Sequence, residues 1–321
     1  MILKFKLSKH IILITLSLLL IVSCKKETSK NNNHIKESNL KSLDENIVNV
    51  TTNVMDFIIP DTLLSGWTTF RYNNKSTETH FFILEKLPNG VNLETYKNEL
   101  VPPFKSAFSA LIKNDFEAAM KALEQTPKWW YDVKFYGGVG LLSPKSQAET
   151  TLFLDPGTYA MECYIRMPDG MPHAFYGMLK EITVTKEKSN AKIPEAQYNI
   201  IVSSETGITF QDSLKAGNYQ LSVHFKDQKR YETFLGHDVN LVKIENDTLI
   251  PILNKWINAG DITSLRSPAP SGLTFLGGVE DLEAGETGFF QVFLDKGHYV
   301  LISEIPNALE RNMFKAFTVY N

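Results

Sequence analysis

The chain has 321 residues, of which 43% are apolar and 21% are charged, and its formal net charge is -3. This composition is typical of a folded protein rather than a disordered one, and the length predicts two domains. The charge provides no basic surface for nucleic acid, so we expect no nucleic-acid partner. Two cysteines are too few for a disulfide framework or a cysteine-rich zinc site.

The N-terminus has the features of an export signal. Three lysines precede an apolar run from Ile11 to Val22, which is too short for an ordinary membrane span. The run ends in Ser23-Cys24 and resembles a bacterial lipobox. The resemblance implies a signal peptide over residues 1–23 and a lipid on Cys24. It would anchor the chain to the lipid bilayer of a bacterial cell envelope, facing the periplasm or the outer surface. A soluble secreted protein and an uncleaved anchor are the alternatives.

A polar segment follows the lipid attachment site. Residues 24–50 are rich in lysine, asparagine and serine and contain no aromatic residue. This composition predicts a flexible tether between the membrane and the folded part.

The folded part contains an internal repeat. Residues 137–159 and 277–299 share nine identities in 23 positions at a constant offset of 140. Residues 178–184 match 313–319, and Asp61, Leu63 and Gly66 match Asp212, Leu214 and Gly217. The repeat predicts two related domains, over 51–186 and 197–321, joined by a linker over 187–196.

Each repeat is predicted to consist mostly of strands. Short aromatic and β-branched runs alternate with turn residues such as Pro156-Gly157 and Lys296-Gly297, a pattern typical of a β-sandwich. The alanine-rich stretch from Phe104 to Gln125 instead predicts a helical insertion, in which Asp115 caps a second helix. Leu249 to Ala259 is the expected shorter equivalent in the second domain.

One group of residues has a pattern typical of a metal site. Cys163, His173 and Met178 surround one inter-strand loop with the spacing Cys-x9-His-x4-Met, and His80 lies at the start of an earlier strand. A thiolate and two imidazoles favour copper in a trigonal site, where a thioether supplies a weak axial bond.

This order of ligands resembles the cupredoxin family, and the loop is most similar to the type 1 copper loop of copper nitrite reductases. The resemblance implies an all-β fold of two tandem cupredoxin-like Greek-key β-sandwiches with a helical insertion in the first. It also implies one copper ion, in domain 1 only, held by His80, Cys163, His173 and Met178. Its use would be electron transfer or copper handling, with a redox or copper-handling protein as partner.

Simpler interpretations exist for each residue. Cys163 could be a small buried apolar residue, Met178 could pack as its equivalent Met313 does, and the histidines could lie on the surface. The alternative function is therefore a metal-free binding or scaffold lipoprotein that keeps only the β-sandwich. Copper sensing or sequestration is a third hypothesis.

The second domain lacks the ligand set, and further copper centres are not predicted. Ser303 stands at the position of Cys163, and the region of His173 is deleted, so domain 2 is expected to be a degenerate copy without metal. Copper nitrite reductases carry a histidine directly before the type 1 cysteine, where this chain has Glu162, and another shortly after the first histidine, where it has Glu85. On these grounds we expect that the chain is not an enzyme.

Overall fold

The computed structural model describes residues 46–321. The predicted signal peptide, the lipidation site Cys24 and most of the tether lie outside the described residues. Strands dominate this part of the chain, which confirms the all-β prediction. The strands of the first half are β1 (Ile47–Thr52), β2 (Thr62–Asn74), β3 (His80–Lys86), β4 (Lys134–Leu142), β5 (Ser146–Leu154), β6 (Gly157–Glu162) and β7 (Leu179–Lys188).

The second half contributes nine further strands. They are β8 (Tyr198–Ser203), β9 (Gly207–Thr209), β10 (Ser213–Lys215), β11 (Gly217–Phe225), β12 (Val239–Ile244), β13 (Leu273–Val279), β14 (Thr287–Leu294), β15 (Gly297–Ile302) and β16 (Phe314–Tyr320).

The first half forms two sheets that share the long strand β2. One sheet has the order β4-β3-β6-β7-β2, and the other contains β1, β2 and β5. The beginning of β2 pairs in parallel with β7, whereas the segment from Gly66 to Asn74 pairs antiparallel with β5. Strand β2 therefore runs from one sheet into the other and holds the two together.

The same pairing scheme occurs in the second half. One sheet has the order β13-β12-β15-β16-β10, and the other contains β14, β11, β8 and β9. Gly66 pairs with Leu154 in the first half, and Gly217 pairs with Leu294 in the second. These are positions that the sequence repeat equates, so the repeat describes strand pairing as well as sequence.

The two halves are joined through their sheets. Strand β5 pairs with β14 through residues such as Thr150 and Phe290, so one sheet continues from the first half into the second. A second contact pairs Leu142 of β4 with Leu276 of β13. The described residues, 46–321, accordingly belong to one compact unit.

Aromatic side chains fill the core of the first half. The ring of Phe82 lies edge-on to the rings of Phe57, Phe70 and Tyr72, with centroid distances of 6.2, 5.5 and 5.5 Å. Phe70, Tyr72 and Phe82 are fully buried. Burial of each such ring contributes about 2 kcal/mol or more, and the edge-on geometry is the one that ring quadrupoles favour.

The predicted helical insertion lies between β3 and β4. It comprises α1 (Leu93–Thr95), a π-helical turn (Tyr96–Leu100), α2 (Val101–Ile112) and α3 (Phe116–Leu123). Asp115 caps α3 by accepting a hydrogen bond from the backbone N–H of Ala118, as predicted. The shorter equivalent in the second half is α4 (Ile250–Ile257). Among the described residues, no helix is long and apolar enough to cross a membrane.

The tether is shorter at its C-terminal end than predicted. Strand β1 begins at Ile47, inside the range 24–50, and pairs in parallel with residues 69–74 of β2. Val48 and Val50 are buried while Ile47 and Asn49 are exposed, which is the alternation of a strand with one buried face. The apolar alternation at the end of this polar stretch was the signal that the tether prediction overlooked.

Candidate metal centre

Three of the four predicted ligands lie at the junction of β3, β6 and the loop after β6. His80 is the first residue of β3, and Cys163 directly follows the last residue of β6, the neighbouring antiparallel strand. His173 begins a single 3-10 turn, His173–Tyr176, within the loop. Strand pairing therefore brings His80 close to Cys163, and the loop folds back to add His173.

Backbone hydrogen bonds hold the loop closed around these residues. The N–H of His173 donates to the carbonyl of Ile165 at 2.7 Å, and the N–H of Ala174 donates to the carbonyl of Cys163 at 2.9 Å. The Arg166 guanidinium donates to the carbonyls of Ser264 and Ala259, both at 2.9 Å, and so ties the loop to the second half. These bonds fix the path of the chain between Cys163 and His173.

The position of His80 depends on an irregularity in the pairing of β3 with β4. The register shifts between His80 and Phe82, close to where Gly138 of β4 pairs with Ile83. A Cβ atom on Gly138 would lie only 1.8 Å from the carbonyl oxygen of Phe82, so only glycine permits this approach. A Cβ atom on the equivalent Gly278 would likewise lie only 1.9 Å from the carbonyl oxygen of Val239. Close strand contact thus explains why this glycine recurs in the repeat.

The three donor atoms form a small buried triangle. Cys163 Sγ lies 3.8 Å from His80 Nδ1 and 3.8 Å from His173 Nδ1, and the two nitrogens are 3.3 Å apart. All three residues are fully buried. This is one of two groups of metal-ligating side chains that converge within the described residues.

The triangle has the dimensions that a bound first-row metal ion requires. A point in its plane about 2.0 Å from each nitrogen lies about 2.3 Å from the sulfur, which are the lengths of metal–imidazole and metal–thiolate bonds. The angles at that point are all within about 15° of the 120° of a trigonal site. The spacing of the three donor atoms therefore fits a trigonally bound ion.

Burial sets the protonation states of the ligands. Desolvation lowers the pKa of His80 to about 4, and desolvation together with the neighbouring His80 lowers the pKa of His173 to about 3. Both imidazoles are therefore neutral at physiological pH and able to bind a metal. Desolvation also raises the pKa of the Cys163 thiol, so the thiol keeps its proton until a metal displaces it.

An acidic residue that the sequence did not identify lies behind His173. Glu78 Oε2 is 3.5 Å from His173 Nε2, the ring nitrogen that points away from the triangle. Metal-bound histidines commonly use this nitrogen to contact a carboxylate, which orients the ring. The available signal was position, because Glu78 lies only two residues before His80.

The structure places Met178 beside the triangle through its backbone. Its carbonyl accepts a hydrogen bond from the N–H of Cys163 at 3.3 Å, and its side chain is fully buried. The equivalent Met313 accepts the same bond from Ser303 at 3.1 Å and is equally buried. The methionine therefore has a conserved place in both halves, and its role as an axial ligand stays a prediction.

The second half has an equivalent of His80 without the other ligands. His237 lies two residues before the start of β12 and is fully buried, and its Nε2 lies 3.1 Å from the hydroxyl of Tyr231. Ser303, at the position of Cys163, lies within hydrogen-bonding distance of Asp238. Polar contacts thus occupy the place that the ligand triangle has in the first half.

A second cluster, of carboxyl groups, lies near Ser303. Asp238, Glu280 and Glu304 are almost fully buried and place carboxyl oxygens within 4.8 Å of one another. Desolvation raises the pKa of Asp238 to about 7, and desolvation with mutual repulsion raises those of Glu280 and Glu304 well above the usual range. The cluster joins residues that are far apart in sequence, so no local motif indicated it.

Comparison with known proteins gives similar structures but no family. No protein-family model matches the chain, and no curated protein matches it. Auracyanin A, a "blue" copper protein from Chloroflexus aurantiacus, is 18% identical, covers 43% of this chain and 98% of its own, and has a TM-score of 0.26. A multicopper oxidase is 11% identical over 85% of this chain and 88% of its own, with a TM-score of 0.22. A copper-containing nitrite reductase from Thermus scotoductus is 9% identical over 85% of this chain and 61% of its own, with a TM-score of 0.21.

The prediction that the chain is not an enzyme is wrong. Two of the similar structures, the multicopper oxidase and the copper-containing nitrite reductase, are enzymes, so the exclusion has no support. The prediction relied on Glu85 and Glu162 standing where histidines were expected. Those two residues argue against one particular second copper centre, not against enzymatic activity in general.

Proposed function

We propose that this chain is a lipid-anchored copper protein of a bacterial cell envelope that exchanges electrons through one copper ion in its first half. His80, Cys163 and His173 would bind the ion, and the thioether of Met178 would be a fourth, weaker ligand. The observation that carries the proposal is the buried triangle of Cys163 Sγ, His80 Nδ1 and His173 Nδ1, with sides of 3.8, 3.8 and 3.3 Å.

The chemistry of the donor set supports copper over other metals. One thiolate and two imidazoles in a trigonal arrangement are typical of copper sites that transfer electrons, whereas structural zinc sites are usually tetrahedral with four protein ligands. A bound copper ion would supply one-electron exchange between its Cu(I) and Cu(II) states.

Burial supports electron transfer over carriage of copper. The three ligand residues have no exposed surface, and Arg166 and the loop hydrogen bonds hold them in place. A cargo ion must enter and leave readily, which an enclosed and braced site hinders. Ligands that are already in position also need little rearrangement when the charge of the ion changes.

The membrane attachment in the proposal is supported by sequence alone. The lipobox-like segment ending at Cys24 lies at the end of an apolar run preceded by lysines. The partners would be the lipid bilayer, through the lipid on Cys24, and a redox protein of the same envelope.

Copper titration of the full-length protein, purified in detergent, tests the metal site. We expect one equivalent of Cu(II) to produce a visible thiolate-to-copper charge-transfer band and a matching paramagnetic-resonance signal. Cys163→Ser should abolish the band, and His80→Ala should abolish or shift it. His237→Ala is the matched control, because His237 is equally buried in the second half, and it should leave the band unchanged.

Two results would contradict the proposal. Absence of the band in the copper-treated protein would favour the metal-free scaffold. Rapid loss of copper from the reduced protein to a Cu(I) chelator would favour carriage of copper, whereas an electron-transfer site should keep its copper through repeated reduction and oxidation.

A further inference from the structure

A cavity of about 630 Å³ lies between the helical insertion and the strands of the first half. Helices α2 and α3 form one wall, and segments 232–235 and 259–263 of the second half form another. Its volume is that of a site for a small organic molecule. Nothing in the proposed copper function uses this space.

The cavity directly borders the loop that carries two of the proposed copper ligands. Glu162 and Tyr164, the neighbours of Cys163, line it, and so do Pro172 and Ala174, the neighbours of His173. Cys163 and His173 themselves are not part of the wall. A molecule in the cavity would therefore contact the sequence neighbours of Cys163 and His173 but not these two proposed ligands themselves.

Two buried carboxyl groups lie together in the wall of the cavity. Glu85 is 2% exposed, and its Oε2 has no hydrogen-bond partner within the described part of the chain. Glu162 lies within hydrogen-bonding reach of Glu85 and accepts a hydrogen bond from the Tyr96 hydroxyl at 3.0 Å. A buried carboxyl oxygen without a partner is costly, so Glu85 Oε2 is an available acceptor for a donor that enters the cavity.

The charges around the cavity favour a cation. Four acidic residues line it, namely Glu85, Glu162, Glu232 and Asp261, whereas Arg166 is its one basic lining residue. The terminal nitrogens of Arg166 already donate to backbone carbonyls of the second half. Acidic groups therefore outnumber basic ones in the lining. Burial raises the pKa of Glu85, and a cation bound beside it would favour its charged form.

Aromatic rings form the apolar part of the wall. Phe104 lies 5.8 Å from Trp130 and 5.4 Å from Phe234, measured between ring centroids. All three rings line the cavity. Aromatic faces attract organic cations and also bind the apolar body of such a molecule.

We propose that this cavity binds a small organic amine, with its ammonium group between Glu85 and Glu162 and its apolar body against Phe104, Trp130 and Phe234. The ammonium would donate to the unpartnered Glu85 Oε2 and neutralise the carboxyl pair. The proposal is independent of copper binding, because no proposed copper ligand lines the cavity.

Calorimetric titration of the full-length, copper-free protein with three matched probes tests this proposal. We expect 2-phenylethylamine to bind at least tenfold more tightly than the neutral 2-phenylethanol, and phenylacetate not to bind. Glu85→Gln should weaken binding of the amine at least tenfold and leave binding of the alcohol nearly unchanged. Asp238→Asn is the matched control, since it removes an equally buried carboxyl group outside the cavity, and it should bind the amine like the unmodified protein.

A second variant keeps the test decisive if Glu85→Gln fails to fold. Phe104→Leu keeps most of the apolar volume in α2 but removes an aromatic face. It should therefore weaken binding of the amine more than binding of the alcohol. Equal binding of amine and alcohol, absence of any amine binding, or a loss shared equally by both probes in Phe104→Leu would overturn the proposal. Because the titration uses copper-free protein, its failure would leave the proposed copper site untouched.

Discussion

Replacing Gly138 by alanine tests how the strand contact beside His80 holds the metal centre. The added Cβ would lie 1.8 Å from the carbonyl oxygen of Phe82, two residues after His80. A Cβ atom essentially never lies closer than 3.0 Å to another non-bonded heavy atom. The backbone of β3 or β4 must therefore move by about 1.2 Å, because neither atom belongs to a flexible side chain.

The displacement is large for both the core and the site. Overpacking usually costs about 1–3 kcal/mol, and we expect a loss of unfolding free energy of about 3 kcal/mol here because backbone atoms collide. A shift of about 1.2 Å in the backbone two residues from His80 also exceeds the roughly 0.5 Å within which a site must be held. We expect copper affinity to fall at least about tenfold and the charge-transfer band to shift.

The repeat provides the matched control for this experiment. A Cβ atom on Gly278 would meet the carbonyl oxygen of Val239 at 1.9 Å, so Gly278→Ala should destabilise the protein by a similar amount. It should leave the copper spectrum unchanged, because no proposed ligand lies on β12. Denaturant unfolding and copper titration of both variants measure the two effects. Unchanged stability in Gly138→Ala, or equal loss of copper binding in both variants, would refute the reasoning.

Two further predictions concern the surroundings of the ligands. Glu78→Gln should weaken copper binding about tenfold with little change in stability, since Glu78 is partly exposed and contacts the outer nitrogen of His173. The control Asp247→Asn alters an exposed acid beside His298 of the second half and should leave copper affinity unchanged. If competition titrations give the two variants equal copper affinities, Glu78 does not have the proposed role. Copper binding should release one proton, from Cys163, between pH 5 and 7, because burial raises its pKa whereas the pKa values of His80 and His173 are about 4 and about 3. Copper affinity should then rise about tenfold per pH unit in this range and fall more steeply below pH 4. Release of nearly three protons at pH 6 would contradict this, because it would show that the imidazoles are charged in the apoprotein.

The ligand triangle was predictable because its members lie close to recognisable strand ends. His80 begins one strand and Cys163 directly follows the end of its neighbour, and the spacing from Cys163 to His173 indicated a single loop. The all-β class followed from short strands and turn residues in both repeats. These features depend on local residue patterns and on the order of the ligands along the chain, so a single sequence is enough to predict them.

The cavity and the carboxyl cluster were not predictable for the opposite reason. Glu85 and Glu162 were noted only as positions without histidine, and their proximity depends on the pairing of β3 with β6. Phe104 and Phe234 meet across 130 residues of sequence, through packing of the helical insertion on the second half. Contacts of this kind depend on tertiary structure, and no spacing rule indicates them.

The sheet that continues from β5 into β14 has a consequence for any attempt to dissect the protein. Cutting the chain between the halves would expose the edges of both strands, with Thr150 and Phe290 among the residues that lose their partners. Exposed strand edges with apolar residues readily pair with other chains and aggregate. The two halves should therefore melt in a single cooperative transition, and the second half would keep the half with the proposed copper ligands soluble.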